Sequence, residues 1–176
     1  MAYCIFARRM KTSTPVTIRE ATSEDVATAR RLFREYADWL GVDLSFQSFD
    51  QELASLPRPY VRPDGFLLFA ESGGTAVGCV AAKKLGDGLA EAKRLYVIAD
   101  YRGHGIGRQL MEQLLSETQK MGYRAVRLDT LPQMQAARTL YETLGFRRIA
   151  AYYHNPIAGT VYMERLLTQW GAYALL

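Results

Sequence analysis

Seven consecutive residues, Arg102-Gly103-His104-Gly105-Ile106-Gly107-Arg108, have the composition of an anion-binding turn. Glycine admits positive φ and lets a ligand approach the backbone closely. Where a helix begins at such a turn, its first amides lack intrahelical partners and present about half a positive charge to whatever lies in front of them. Arg102 and Arg108 add fixed cations, so the chemistry on offer is the cradling of a pyrophosphate. Two other phosphate turns fit less well. A Walker loop ends in Gly-Lys-Ser/Thr, and Gly107-Arg108-Gln109 has neither the lysine nor the magnesium-binding hydroxyl. A dinucleotide turn spaces its glycines as G-x-G-x-x-G early in a parallel βαβ array, whereas these fall as G-x-G-x-G late in the chain. A glycine-rich turn without a ligand is the plainest alternative.

The turn needs a strand before it and a helix after it, and the flanking sequence supplies both. Glu91 to Ile98 reads as a strand, and Ile106, Leu110, Leu114, Thr118 and Met121 form one stripe of a helix over 105–121. A strand over 124–130 follows, then a helix over 133–144 with Ala137, Leu140 and Leu144 on one face, then a strand over 146–150. Upstream, Val16 to Glu20 reads as a strand, and Thr22-Ser23-Glu24-Asp25 supplies an N-cap hydroxyl and acidic first-turn residues. The helix this starts runs through Val26, Ala29, Phe33 and Leu40 to Gly41, and a shorter helix around Phe49, Leu53 and Leu56 ends at Pro57. Two β-runs, 66–71 and 76–83, meet at Ser72-Gly73-Gly74 as a hairpin, and Gly86-Asp87-Gly88 turns the chain into the strand before the phosphate turn. A last strand covers 160–166. Hairpins running into a strand-helix-strand unit predict an α+β fold: one mixed, mostly antiparallel sheet of six to seven strands flanked by about four helices.

Arg102-Gly-His-Gly105-Ile-Gly107 resembles the R/Q-x-x-G-x-G/A signature of the GNAT (Gcn5-related N-acetyltransferase) family. Asp129-Thr130 and Ala137-Arg-Thr-Leu-Tyr141-Glu-Thr-Leu-Gly145-Phe146 are similar to its second signature, A-x-x-L-Y-x-x-x-G-F, in the family's order and spacing. The resemblance implies acetyl-CoA as cofactor. Arg102, Gly103, His104, Gly105, Ile106, Gly107 and Arg108 would wrap its pyrophosphate, and the backbone of Leu95, Tyr96 and Val97 would pair its pantetheine arm. The Leu95 amide would face the thioester oxygen. It further implies that Tyr141 protonates the departing sulfur, and a phenol of unperturbed pKa about 10 holds its proton at neutral pH. Glu91 and Asp129 lie where family members place carboxylates that relay a proton from the amine; either can instead be a strand-end charge, and both readings stay open. The acceptor site is expected between the first helices and the last loop, at Tyr36, Glu91, Tyr152, Tyr153 and His154. Met134 stands where many members carry an asparagine, seven residues before the tyrosine.

The bulk properties are those of a globular domain. At 176 residues, 49% apolar and 23% charged, the chain suits one domain over 15–168, with an N-terminal extension over 1–14 and a tail over 169–176. The net charge of +4 is scattered rather than gathered on one helix face, which argues against a nucleic-acid-binding domain. Cys4 and Cys79 lack metal or redox spacing, and no stretch reaches the roughly 20 apolar residues of a membrane span. The reading is therefore a cytoplasmic N-acetyltransferase acting on a primary amine of a small polar acceptor, with a homodimer as the base-rate assembly. A non-catalytic CoA-binding regulatory module and a protein N-terminal or lysine acetyltransferase are the alternatives.

Overall fold

Unbroken apolar runs such as Phe66 to Ala70 and Cys79 to Ala82 need cover on both faces, and here they have it. A computed structural model describes residues 15–167; the 1–14 extension, Cys4 and the 169–176 tail lie outside the described residues. Strands β1 (Val16–Glu20), β2 (Gly65–Ser72), β3 (Thr75–Gly86), β4 (Leu89–Val97), β5 (Ala125–Thr130), β6 (Arg147–Ile149) and β7 (Val161–Leu166) form one seven-stranded sheet in the order β1-β2-β3-β4-β5-β7-β6. Helices α1 (Val26–Leu40), α2 (Phe49–Ser55), α3 (Ile106–Lys120) and α4 (Gln135–Thr143) complete the chain.

Along β2, Phe66, Leu68 and Ala70 join the core that contains Leu110, Met111 and Leu114 of α3, while Leu67 and Phe69 join the core that contains Leu32 and Phe33 of α1. The period of two sends alternate side chains to opposite faces, and each fully buried Leu or Phe contributes about 1.5–3 kcal/mol. A 3-10 turn over Ser23–Asp25, held by a capping box between Thr22 and Asp25, leads into helix α1, which Gly41 stops at φ +67°.

The expected elements are all present, with shifted ends. The β3–β4 hairpin extends to Gly86 and Leu89 because the ladder carries on to its turn, and α4 starts at Gln135 because residues 131–134 make a turn first. Short 3-10 turns at Ser45–Gln47 and Ala99–Tyr101 carry no hydrophobic period and escape a sequence reading.

Candidate active site

Strands β4 and β5 are parallel and pair over only three positions, ending at Glu91 opposite Arg127. Beyond that they part. On its other side β4 keeps pairing with β3, but Val80 faces two residues, Arg94 and Leu95, instead of one. This bulge holds Arg94 at φ +59°, a left-handed conformation rare for a residue with a side chain. Its consequence is directional: Lys93, Arg94 and Leu95, which a regular strand would send to alternating faces, all line one cavity.

Two cavities occupy the wedge. The outer one, about 470 Å³, runs along Leu95, Tyr96 and Val97, past the turn before α3, and against Ala137 and Leu140 of α4. The first hydrogen bond of α3 runs from Gln109 N–H to Gly105 C=O, 3.1 Å, so the amides of Gly105 to Arg108 precede the ladder and stay available. Gly103 at φ +79° and Gly105 at φ +77° need glycine for their conformation, and a Cβ at either would meet nothing within 4 Å. Arg102 stacks over Trp39, 4.4 Å from the ring centroid, and donates from Nε to the Val97 carbonyl at 2.8 Å. Arg108 reaches Thr143 Oγ1 at 2.7 Å.

The inner cavity is smaller, about 40 Å³, and its lining is charged: Lys93, Arg94 and Asp129, with Tyr36, Tyr141 and Gln47. Leu95 and Met134 line both cavities and mark where they meet. Arg94 is buried and grips Glu52 of α2 through Nε, at 3.0 Å, and Nη2. Desolvation works to raise the Glu52 carboxyl, but the Arg94 hydrogen bonds outweigh it and hold it below its usual range. Burial pushes the Tyr141 phenol well up, and its ring packs against Phe146 at 5.8 Å. Burial lowers the Lys93 ammonium, with Glu91 and Asp129 opposing that shift.

The structure places the anticipated residues unequally. Leu95, Tyr96, Val97, Arg102, Gly103, Gly105, Ile106, Gly107 and Arg108 line the outer cavity, while His104 is exposed, its Nδ1 2.9 Å from the Arg102 carbonyl. Tyr141, Tyr36 and Asp129 line the inner cavity. Glu91 is 3% exposed and sits behind it, accepting from Tyr152 Oη at 2.9 Å and pairing with Lys83 at 3.3 Å. Tyr153 is hydrogen-bonded to Asp129 and to Gln47 and Asn155, so both loop tyrosines hold carboxylates. His154 is exposed and lines neither cavity. Cys79 is buried and its thiol is pushed up by desolvation, as befits an inert core residue.

Sequence reading missed Lys93, Arg94, Glu52, Gln47, Thr130 and Trp39. The one available signal was Lys93-Arg94, two adjacent cations between Ala92 and Leu95 in a mostly apolar strand. Among the described residues no cluster of side chains suits a metal ion, and no helix is long and apolar enough to cross a membrane.

Residues 27–146 match the model of the Acetyltransferase (GNAT) family. An uncharacterized N-acetyltransferase of Schizosaccharomyces pombe is 42% identical over 143 residues, covering 80% of this chain and 88% of that protein. The N-acetylaspartate synthetase of Rattus norvegicus is 34% identical over 122 residues, covering 67% of this chain but only 41% of the relative. A PaiA N-acetyltransferase from Thermoplasma acidophilum, solved in complex with coenzyme A, shares the fold with a TM-score of 0.68 at 23% identity, covering 86% of this chain and 99% of its own.

Proposed function

The chain belongs to the GNAT acetyltransferase family, and on that premise we propose that it acetylates the primary amine of a small polar acceptor by direct attack, both reactants being held between β4 and β5. At the coarser level set by the family it is an acyl-CoA-dependent N-acetyltransferase that uses acetyl-CoA.

The outer cavity fits the cofactor. Its glycine turn leaves open space in front of free amides at the start of α3, which suits a pyrophosphate, and its elongated floor along β4 suits the pantetheine arm. Acetyl-CoA, when bound there, supplies the acetyl group as a thioester and leaves as the free thiol. The observation that carries the reading is the junction at Leu95 and Met134, where the long groove opens into the charged inner cavity.

In this reading each inner-cavity residue has a task. Asp129, at the end of β5, takes the ammonium proton of the acceptor, directly or through water, and frees the nitrogen lone pair. The Leu95 amide, in the bulge, donates toward the carbonyl oxygen of the reacting group. Tyr141 gives its proton to the leaving sulfur; its raised pKa keeps the phenol protonated until that moment. Glu91, screened by Tyr152 and Lys83, sets the local field and does not touch the acceptor. The buried inert thiol of Cys79 accords with work in the cytoplasm.

The test is thiol release from acetyl-CoA followed with and without amines. Release that depends on the amine, equals the acetylated product, and gives intersecting double-reciprocal lines supports direct attack. Parallel lines, or an acetylated enzyme isolated without acceptor, would contradict it.

A further inference from the structure

Lys93, Arg94 and Asp129 bring more charge to the inner cavity than amine acetylation needs, and part of the charge in and behind it is already paired. Lys83 pairs with Glu91, and Arg94 pairs with Glu52. That leaves two opposite charges without a close ionic partner among the described residues. Lys93 Nζ stops 4.0 Å from Glu91, beyond hydrogen-bonding reach, and pairs with no other carboxylate among the described residues. Among the described residues Asp129 accepts only from the neutral groups of Asn155 and Tyr153.

Both stand where β4 and β5 part, two residues beyond the last register pair, Glu91 opposite Arg127, and the Asp129 charge acts on the Lys93 ammonium. Both line the inner cavity, and Lys93 is only 10% exposed. Two buried polar atoms of the same lining, Thr130 Oγ1 and Gln47 Oε1, lack partners among the described residues. Native interiors rarely leave such atoms unsatisfied, so their orphaned state points to a polar occupant. Gln47 Nε2 is committed to Tyr153 Oη at 3.4 Å, which leaves its oxygen as an acceptor. At about 40 Å³ the space admits about three waters, the scale of a small charged headgroup.

Resting on the acetyltransferase reading above, we propose that the acceptor is an α-amino acid, recognised at both ends of its headgroup. Lys93 binds the carboxylate. Asp129 takes the ammonium, with Thr130 Oγ1 and Gln47 Oε1 filling its remaining hydrogen bonds, and the amino-acid side chain projects out of the cavity. The Arg94–Glu52 pair is a positioning device: it pins the bulge that aims Lys93 inward. Desolvation lowers the Lys93 ammonium when it is alone, and a carboxylate beside it removes that disadvantage.

The experiment compares the twenty amino acids with their α-carboxamides as acceptors, reading thiol release from acetyl-CoA. Amidation removes the carboxylate charge and lowers the amine pKa, so intrinsic reactivity favours the amide. The proposal expects the opposite: kcat/KM for the preferred acids at least 30-fold above that for their amides. Lys93→Met should raise KM for the acid at least 30-fold with a smaller change in kcat, and Lys93→Arg should recover part of the loss, which a merely structural lysine would not show. Amides that equal or exceed the acids overturn the proposal and leave the acetyltransferase standing. No amine-dependent release from either series, with coenzyme A still binding, overturns the acetyltransferase reading and this inference with it.

Discussion

Arg94, held at a positive φ in β4, grips through Nε and Nη2 the carboxylate of Glu52, 42 residues earlier in α2. The pair ties α2 to the strand that lines the inner cavity through Lys93, Arg94 and Leu95. Removing one partner leaves a buried charge uncompensated, so Glu52→Ala is expected to cost about 3–5 kcal/mol in urea unfolding. Breaking the exposed Arg62–Glu20 pair by Glu20→Ala should cost less than about 1 kcal/mol. Similar losses for both would contradict the assignment.

The same pair has a pH signature. The Glu52 carboxyl is held below its usual value of 4.5 in the folded state, so its stabilisation is fully present above pH 4.5 and lost as pH falls through the depressed value. A Glu52→Gln protein should lose less stability than the wild type between neutral pH and pH 3, measured by chemical melts across that range.

The glycines of the phosphate turn should differ in what they tolerate. Gly105→Ala forces a side chain into φ +77° and is expected to destabilise by about 1–2 kcal/mol and weaken coenzyme A binding about tenfold by calorimetry. Gly107 has no positive φ, and an added Cβ would meet Leu140 at an ordinary 3.7 Å, so Gly107→Ala should be nearly neutral for folding and binding. Equal effects would show that backbone conformation is not what the turn requires.

Two carboxylates were equivalent in the sequence and are not equivalent in space. Because Asp129 lines the cavity and Glu91 lies behind it, Asp129→Asn should lower kcat on the order of 10²-fold, with coenzyme A affinity unchanged. Glu91→Gln should act mainly on stability, by leaving Lys83 and Tyr152 without their partner. The reverse ranking would move the base to Glu91.

What sequence made legible here was local. The turn at 102–108 declares itself because glycines, cations and a helix start are contiguous, and α3 follows from its own period. Tyr141 was reachable through the resemblance. Lys93 and Glu52 were not, because their roles depend on a bulge that forms only when Val80 pairs across β4, and on a carboxylate delivered from a different helix. Tyr152 and Tyr153 are near the site, but which carboxylate each holds is set by how the 150–160 loop folds back over β5, a long-range choice with no sequence period. His154 shows the converse: adjacent to both tyrosines, it faces solvent.

In the proposed reaction Tyr141, which lines the inner cavity, supplies the proton to the leaving thiol. Phe can fill the same space against Phe146, so Tyr141→Phe should remove the proton and little else. The measurement is amine-dependent thiol release by this variant with acetyl-CoA saturating. The account predicts turnover lowered about 10²–10³-fold with coenzyme A affinity within about twofold of wild type. Full turnover by Tyr141→Phe across the pH range would contradict it.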